Sequence, residues 1–141
     1  MAKHKYIPCD IYKRGITVFI GNKEEFIKYC EQTYNEDEED EAFIYSIKTC
    51  SYGYADFHFG NGYGIVRIPD FPQKPIEIAA TAHELLHATQ WMLWYCGVEY
   101  ENKNCTNEAY TYLHEHLVRN AFEEDGYKEF NVKEENYENK T

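Results

Sequence analysis

The segment from Pro75 to Cys96 constrains the fold more than any other. Pro69, Pro72 and Pro75 keep the chain out of helix until its first turn, where proline is tolerated, and Gly97 stands just past the end, where glycine is favoured. A helix of that length runs about 33 Å. Ile78, Ala79, Ala82, Leu85, Leu86, Trp91, Met92, Leu93 and Trp94 leave no continuous polar face, so the pattern predicts a helix enclosed in the core. Its middle reads His83-Glu84-Leu85-Leu86-His87, an HExxH. Positions i and i+4 lie about 40° apart on one helical face, so both imidazoles can point at a single metal ion, for which zinc is expected. Glu84 stands about 100° round from His83, placed to reach a water on the metal and act as general base. In the alternative reading both histidines are core residues held by neighbouring carbonyls, since a buried polar group without a partner costs about 1–3 kcal/mol.

The remaining sequence narrows the classes open to such a chain. Its 141 residues, 43% hydrophobic and 17% aromatic, suffice for one domain with a sizeable core, expected over about 14–122, with 123–141 a charged C-terminal extension. Net charge is −11, from 14 basic and 25 acidic residues without a basic cluster, so nucleic acid is not an expected partner. The N-terminal residues lack the apolar core of a signal peptide and no stretch is long enough to span a bilayer, which predicts a cytoplasmic protein with no membrane partner. The 5 cysteines, Cys9, Cys30, Cys50, Cys96 and Cys105, are odd in number and form no CxxC pair, so reduced thiols are expected.

Taken in order, Ile16–Ile20 is an apolar, β-branched run ending at Gly21 and reads as a buried strand. Asn22 followed by Glu25 is a capping-box pattern, and Phe26, Ile27, Cys30 and Tyr34 recur at helical spacing, so 23–34 reads as a helix with one buried stripe. The acidic run Glu36–Glu41 repels itself and reads as a solvated loop; it lacks the alternating ligands and glycine of a calcium loop. Ala42–Cys50 reads as a second strand, and Tyr54–Phe59 with Tyr63–Ile68 as a hairpin turning at Asn61-Gly62. The expected architecture is α+β: a small mixed β-α-β-β sheet, then the HExxH helix, then a second helix. Strand 63–68 leads directly into the HExxH helix and is expected to be an edge that pairs with an extended peptide or protein substrate. Gly62 and Gly64 either leave room for that peptide or serve only the turn and twist.

A catalytic zinc takes three protein ligands and keeps one position open. Gln90 and Leu93 stand where the metzincin continuation needs Gly and His, which excludes that pattern. Thr106–Ala121 reads as a helix capped by Asn104 or Thr106, folded back antiparallel after Gly97 so that Glu108 can face the histidine pair. Glu99, Glu101 and Glu115 are rival third ligands.

HExxH followed by Asn107-Glu108 on a second helix resembles the gluzincin branch of zinc metallopeptidases, the group that includes thermolysin. More closely, the stretch 78–119 resembles small phage and mobile-element domains of that branch, whose Glu-Ala-x-x-Tyr-Leu pattern is matched by Glu108 to Leu113. The resemblance implies a zincin-like fold, His83, His87 and Glu108 as zinc ligands, Glu84 as general base, and hydrolysis of peptide bonds. Two departures stand out. The aspartate that such enzymes carry four residues after the ligand glutamate is Tyr112 here, and the chain has no room for the second lobe that supplies their oxyanion-stabilising histidine. Tyr112 is the first candidate for that donor; His114, His116, His58 and Arg67 are the others. The rival function is a zinc-binding module that recognises a peptide or regulates without cleaving; a third is a metal-free packing protein.

Overall fold

A computed structural model describes residues 1–99 and 105–131. In chain order the elements are β1 Lys3–Cys9, β2 Arg14–Ile20, α1 Lys23–Thr33, α2 Glu38–Thr49, β3 Asp56–Phe59, β4 Gly64–Ile68, α3 Pro75–Tyr95, α4 Cys105–Ala121 and β5 Lys128–Glu129. The architecture is α+β: a five-stranded mixed sheet in the order β3-β4-β2-β1-β5, with β2 and β4 parallel and the other neighbours antiparallel.

Because successive side chains of a strand face opposite ways, β2 feeds two cores. Ile16, Val18 and Ile20 join Val66, Ile68, Leu85, Met92 and Leu117 on the α3/α4 side, while Phe19 joins Ile65, Phe26, Cys30, Phe43 and Ile47 on the α1/α2 side. A central strand covered on both faces needs a nearly unbroken apolar run, which is why Ile16–Ile20 carries no outward polar alternation. The α1 cap forms as its sequence predicts: Glu25 N–H donates to Asn22 Oδ1 at 2.8 Å and Asn22 N–H to Glu25 Oε1 at 3.0 Å. The reversal between β3 and β4 falls at Asn61-Gly62, with Gly62 at φ +85 and Gly60 N–H donating to Tyr63 O at 2.9 Å.

Several expectations are corrected. Residues 42–49 are not a strand, and the acidic run is a loop only at Glu36 and Asp37: Glu38–Thr49 is α2. Asp37 caps that helix by accepting from Asp40 N–H at 2.9 Å, and Glu38, Glu39, Asp40 and Glu41 fill its first turn, where carboxylates meet the positive end of the helix dipole. Phe43 and Ile47, one turn apart, give the helix its buried stripe. β1 lies in a segment whose lysines and Pro8 hide its strand character; only Ile7 and Cys9 of it are buried on the α3/α4 side. The C-terminal extension contributes β5 on the edge of β1, and Phe130 packs on Phe19 and Tyr29. Strand 63–68 is no edge: β4 is flanked by β2 and β3, and β3 is the edge strand on that side of the sheet. Gly64 serves packing, since a Cβ there would lie 2.9 Å from the Phe57 ring and 3.1 Å from Ile16 Cδ1. The long helix α3 is covered on its sheet and α4 sides only; Ile76, Leu86 and Trp94 are exposed on the remaining face.

Candidate metal centre

α3 runs over the sheet with Thr81, Leu85, Ala88 and Met92 turned inward. That spacing of four, three and four residues fixes the rest of the helix by its 3.6-residue turn. His83 and His87 fall on the side away from the sheet, and both are exposed, which rules out the enclosed reading of this pair. Glu84 falls on the β3 side, together with Trp91, which packs on Phe57 and Phe59. α4 returns antiparallel along the other flank: Tyr110 OH donates to Val98 O at 3.0 Å near the end of α3, and His114 Nε2 lies 3.1 Å from Ala82 O, beside His83.

The two imidazoles converge. His83 Nε2 and His87 Nε2 are 3.1 Å apart, with ring planes at 78°. Two nitrogens bound to one zinc at about 2.0–2.1 Å and tetrahedral angles lie about 3.3 Å from each other, so the pair is spaced as ligands of a single ion. Without an ion this approach needs one neutral ring to accept a hydrogen bond from the other. Donor atoms of His83, Glu84 and His87 all lie within 4.8 Å of one another and form a group able to hold a metal ion. Glu84 is half-buried, and its pKa is raised. Burial drives the shift, His87 and His83 oppose it, Asp56 adds to it, and His58 opposes it weakly.

The remaining sequence candidates are dispersed. Glu108 is exposed on the first turn of α4 and is not a member of the three-donor group. Glu99 is exposed on the connection, Glu115 bonds Arg119 at 3.2 Å, and Glu101 lies outside the described residues, as does the cap candidate Asn104. Tyr112 is 67% exposed and lines, with Leu113 and His116, a cleft of about 400 Å³ against Pro8–Tyr12. His116 Nε2 is held 2.9 Å from Pro8 O on that side.

His58 and Arg67 are not oxyanion donors here. They project from β3 and β4 towards α1/α2, on the sheet face opposite α3, and are committed to Asp56. Arg67 is 4% exposed and bonds Asp56 through Nε at 2.8 Å and Nη2 at 3.1 Å, while Nη1 donates to Gly21 O and Nη2 also to the carbonyls of Gly53 and Tyr54. Because the carboxylate only accepts, His58 Nε2, at 3.1 Å from Oδ1, carries the proton between them. Burial pushes the Asp56 pKa up, but the hydrogen bonds from His58 and Arg67 and their charges outweigh it and hold it below the ordinary 3.8.

Sequence reasoning missed that the free edge beside the donors is β3. The signal was the alternation Asp56-Phe57-His58-Phe59, which sends its polar side chains to one face and its aromatic ones to the other. Cys9, Cys30, Cys50 and Cys96 are free, and among the described residues no helix is long and apolar enough to cross a membrane. No family model matches the chain, nor does any curated protein or solved structure.

Proposed function

We propose that this protein is a zinc-dependent metallopeptidase in which His83, His87 and Glu108 hold the ion and Glu84 is the general base. The observation that carries this reading is the convergence of His83 and His87 Nε2 to 3.1 Å on an exposed face, with the Glu84 carboxylate among the same donors. A bound zinc ion supplies Lewis acidity, making water a nucleophile near neutral pH and polarising a carbonyl. Glu84 then accepts the proton of the attacking water on its carboxylate and delivers it to the leaving amide nitrogen as the C–N bond breaks. The free edge of β3 offers unpaired backbone groups to an extended substrate peptide. Phe57 and Phe59 link that edge to the side of α3 that carries Glu84.

A second reading, a zinc-binding module that captures a peptide without cutting it, is favoured by the position of Glu108 outside the donor group. Metal content and cleavage of a mixed peptide library, compared among wild type, His87→Ala, Glu108→Ala and Glu84→Gln, separate the two. For the peptidase, wild type and Glu84→Gln retain about one zinc per chain. His87→Ala and Glu108→Ala lose it, and Glu84→Gln loses at least about 100-fold in turnover. Retained zinc and peptide binding with no cleavage in wild type favours the module, and no zinc in any sample sinks both readings.

A further inference from the structure

We infer that Phe59, with Trp91 and Tyr95, forms an aromatic subsite selecting substrates that carry an aromatic or large apolar side chain two or three residues before the scissile bond. The inference rests on the peptidase reading and adds to it the substrate class. Phe59 closes the edge strand β3 and is 56% exposed, yet its ring is not loose on the surface. It stacks on Phe57 at 5.8 Å and 25° and lies 6.0 Å from Trp91, which meets Tyr95 at 5.6 Å. Tyr95 is itself fixed, its hydroxyl donating to Asn61 Oδ1 at 3.2 Å and its ring lying under the Arg14 guanidinium at 4.1 Å. The result is one ring open to solvent on the free edge of the sheet, Phe59, backed by the buried Trp91, with Tyr95 partly exposed beyond it.

This row lies at a definite distance from the donors. Glu84, Trp91 and Tyr95 share one side of α3, being separated by two and then one further turn. α3 and β3 run in the same direction, since Phe57 and Phe59 meet Trp91 and, further along both elements, Asn61 meets Tyr95. Trp91 is six residues beyond the midpoint of the histidine pair, about 9 Å along the helix axis. An extended peptide covers that in about three residues, and its side chains alternate, so one of the second and third residues from the cut faces the rings. Direction follows from pairing. β3 already pairs antiparallel with β4, and antiparallel ladders are the slightly more stable kind, so a peptide added to its free edge runs antiparallel too. Its N-terminal end then lies over Phe59.

The test is a cleavage profile of peptides randomised over three positions on each side of the cut, with the zinc-loaded full chain. Wild type prefers Phe, Tyr, Trp or Leu over Ala at the second or third position before the cut by about two- to tenfold in kcat/KM, the range of one aromatic contact. Phe59→Ser abolishes that preference, read as the ratio of kcat/KM for Phe-containing over Ala-containing peptides within each variant; Phe59→Tyr keeps it. Cleavage by wild type with no preference at those positions, a preference lying after the cut, or a preference untouched by Phe59→Ser overturns the subsite while leaving the peptidase intact. Absence of cleavage of every sequence overturns the peptidase reading, and the subsite with it.

Discussion

Replacing Asp56 by alanine tests whether β3 is held in place by charge. Asp56 and Arg67 have side chains only 12% and 5% exposed, and the guanidinium makes five hydrogen bonds, two of them to Asp56 and three to the carbonyls of Gly21, Gly53 and Tyr54. Removing one partner of a buried ion pair costs about 3–5 kcal/mol because the other charge stays behind. Here three carbonyls still solvate Arg67, so the loss belongs near the lower end, about 3 kcal/mol. That is a large part of the roughly 5–15 kcal/mol of a typical domain. Asp56→Asn, which keeps an acceptor but not the charge, loses about half as much, on the scale of one hydrogen bond to a charged group. Urea unfolding at pH 7 reads both: with a slope near 2 kcal/mol/M the Ala variant melts about 1.5 M earlier. The pH dependence has a fixed sign. A carboxyl held below its ordinary pKa contributes stability that is complete above that value, 3.8, and vanishes as pH falls through the lower, folded value. The gap between wild type and Asp56→Ala is therefore full at pH 7 and narrows as pH falls below about 4. A loss under about 1 kcal/mol at pH 7, or a gap that stays full in acid, refutes the account of a buried pair.

Two further substitutions probe the helices around the donors. Leu85→Ala removes a fully buried side chain directly beneath the histidine pair and is expected to cost about 2–5 kcal/mol in denaturant unfolding, with metal content per folded chain unchanged. Tyr112→Phe removes the hydroxyl that the sequence offers as an oxyanion donor; because the ring faces the Pro8–Tyr12 cleft, turnover is expected to stay within about twofold, whereas a loss of 100-fold or more would return Tyr112 to the chemistry.

The parts of the fold legible in the sequence are those decided by neighbours along the chain. The Asn22 cap, the Asn61-Gly62 reversal and the proline-framed α3 depend on residues within one turn of each other, and so does the convergence of His83 and His87. α2 was obscured because its apolar residues cluster in Ala42–Ile47, and its acidic cap looks like self-repulsion until the helix dipole is counted. Which strand forms the edge was legible only through the polar–aromatic alternation of Asp56–Phe59. That depends on β2 choosing β4 as its parallel neighbour, a pairing between distant residues to which the hairpin itself is indifferent. The same holds for Arg67, whose role is decided by a carboxylate on the adjacent strand and carbonyls on two loops.

The two-residue strand β5 has a consequence for the order in which the molecule is assembled. β1 meets β2 across a short turn, so this hairpin closes early; β2 waits for β4 until α1, α2 and β3 have emerged, and β1 waits for its outer neighbour until the final described element. Non-local pairings of this kind close late because their loops must be ordered first. During synthesis, then, β1 spends the longest time with a bare edge. A chain halted before Lys128 keeps that edge bare, and one halted before Phe130 also lacks the ring that seals Phe19 and Tyr29. Residues 128–130 therefore decide whether the start of β1, at Lys3 and His4, is covered or left as a bare edge of the kind that invites aggregation.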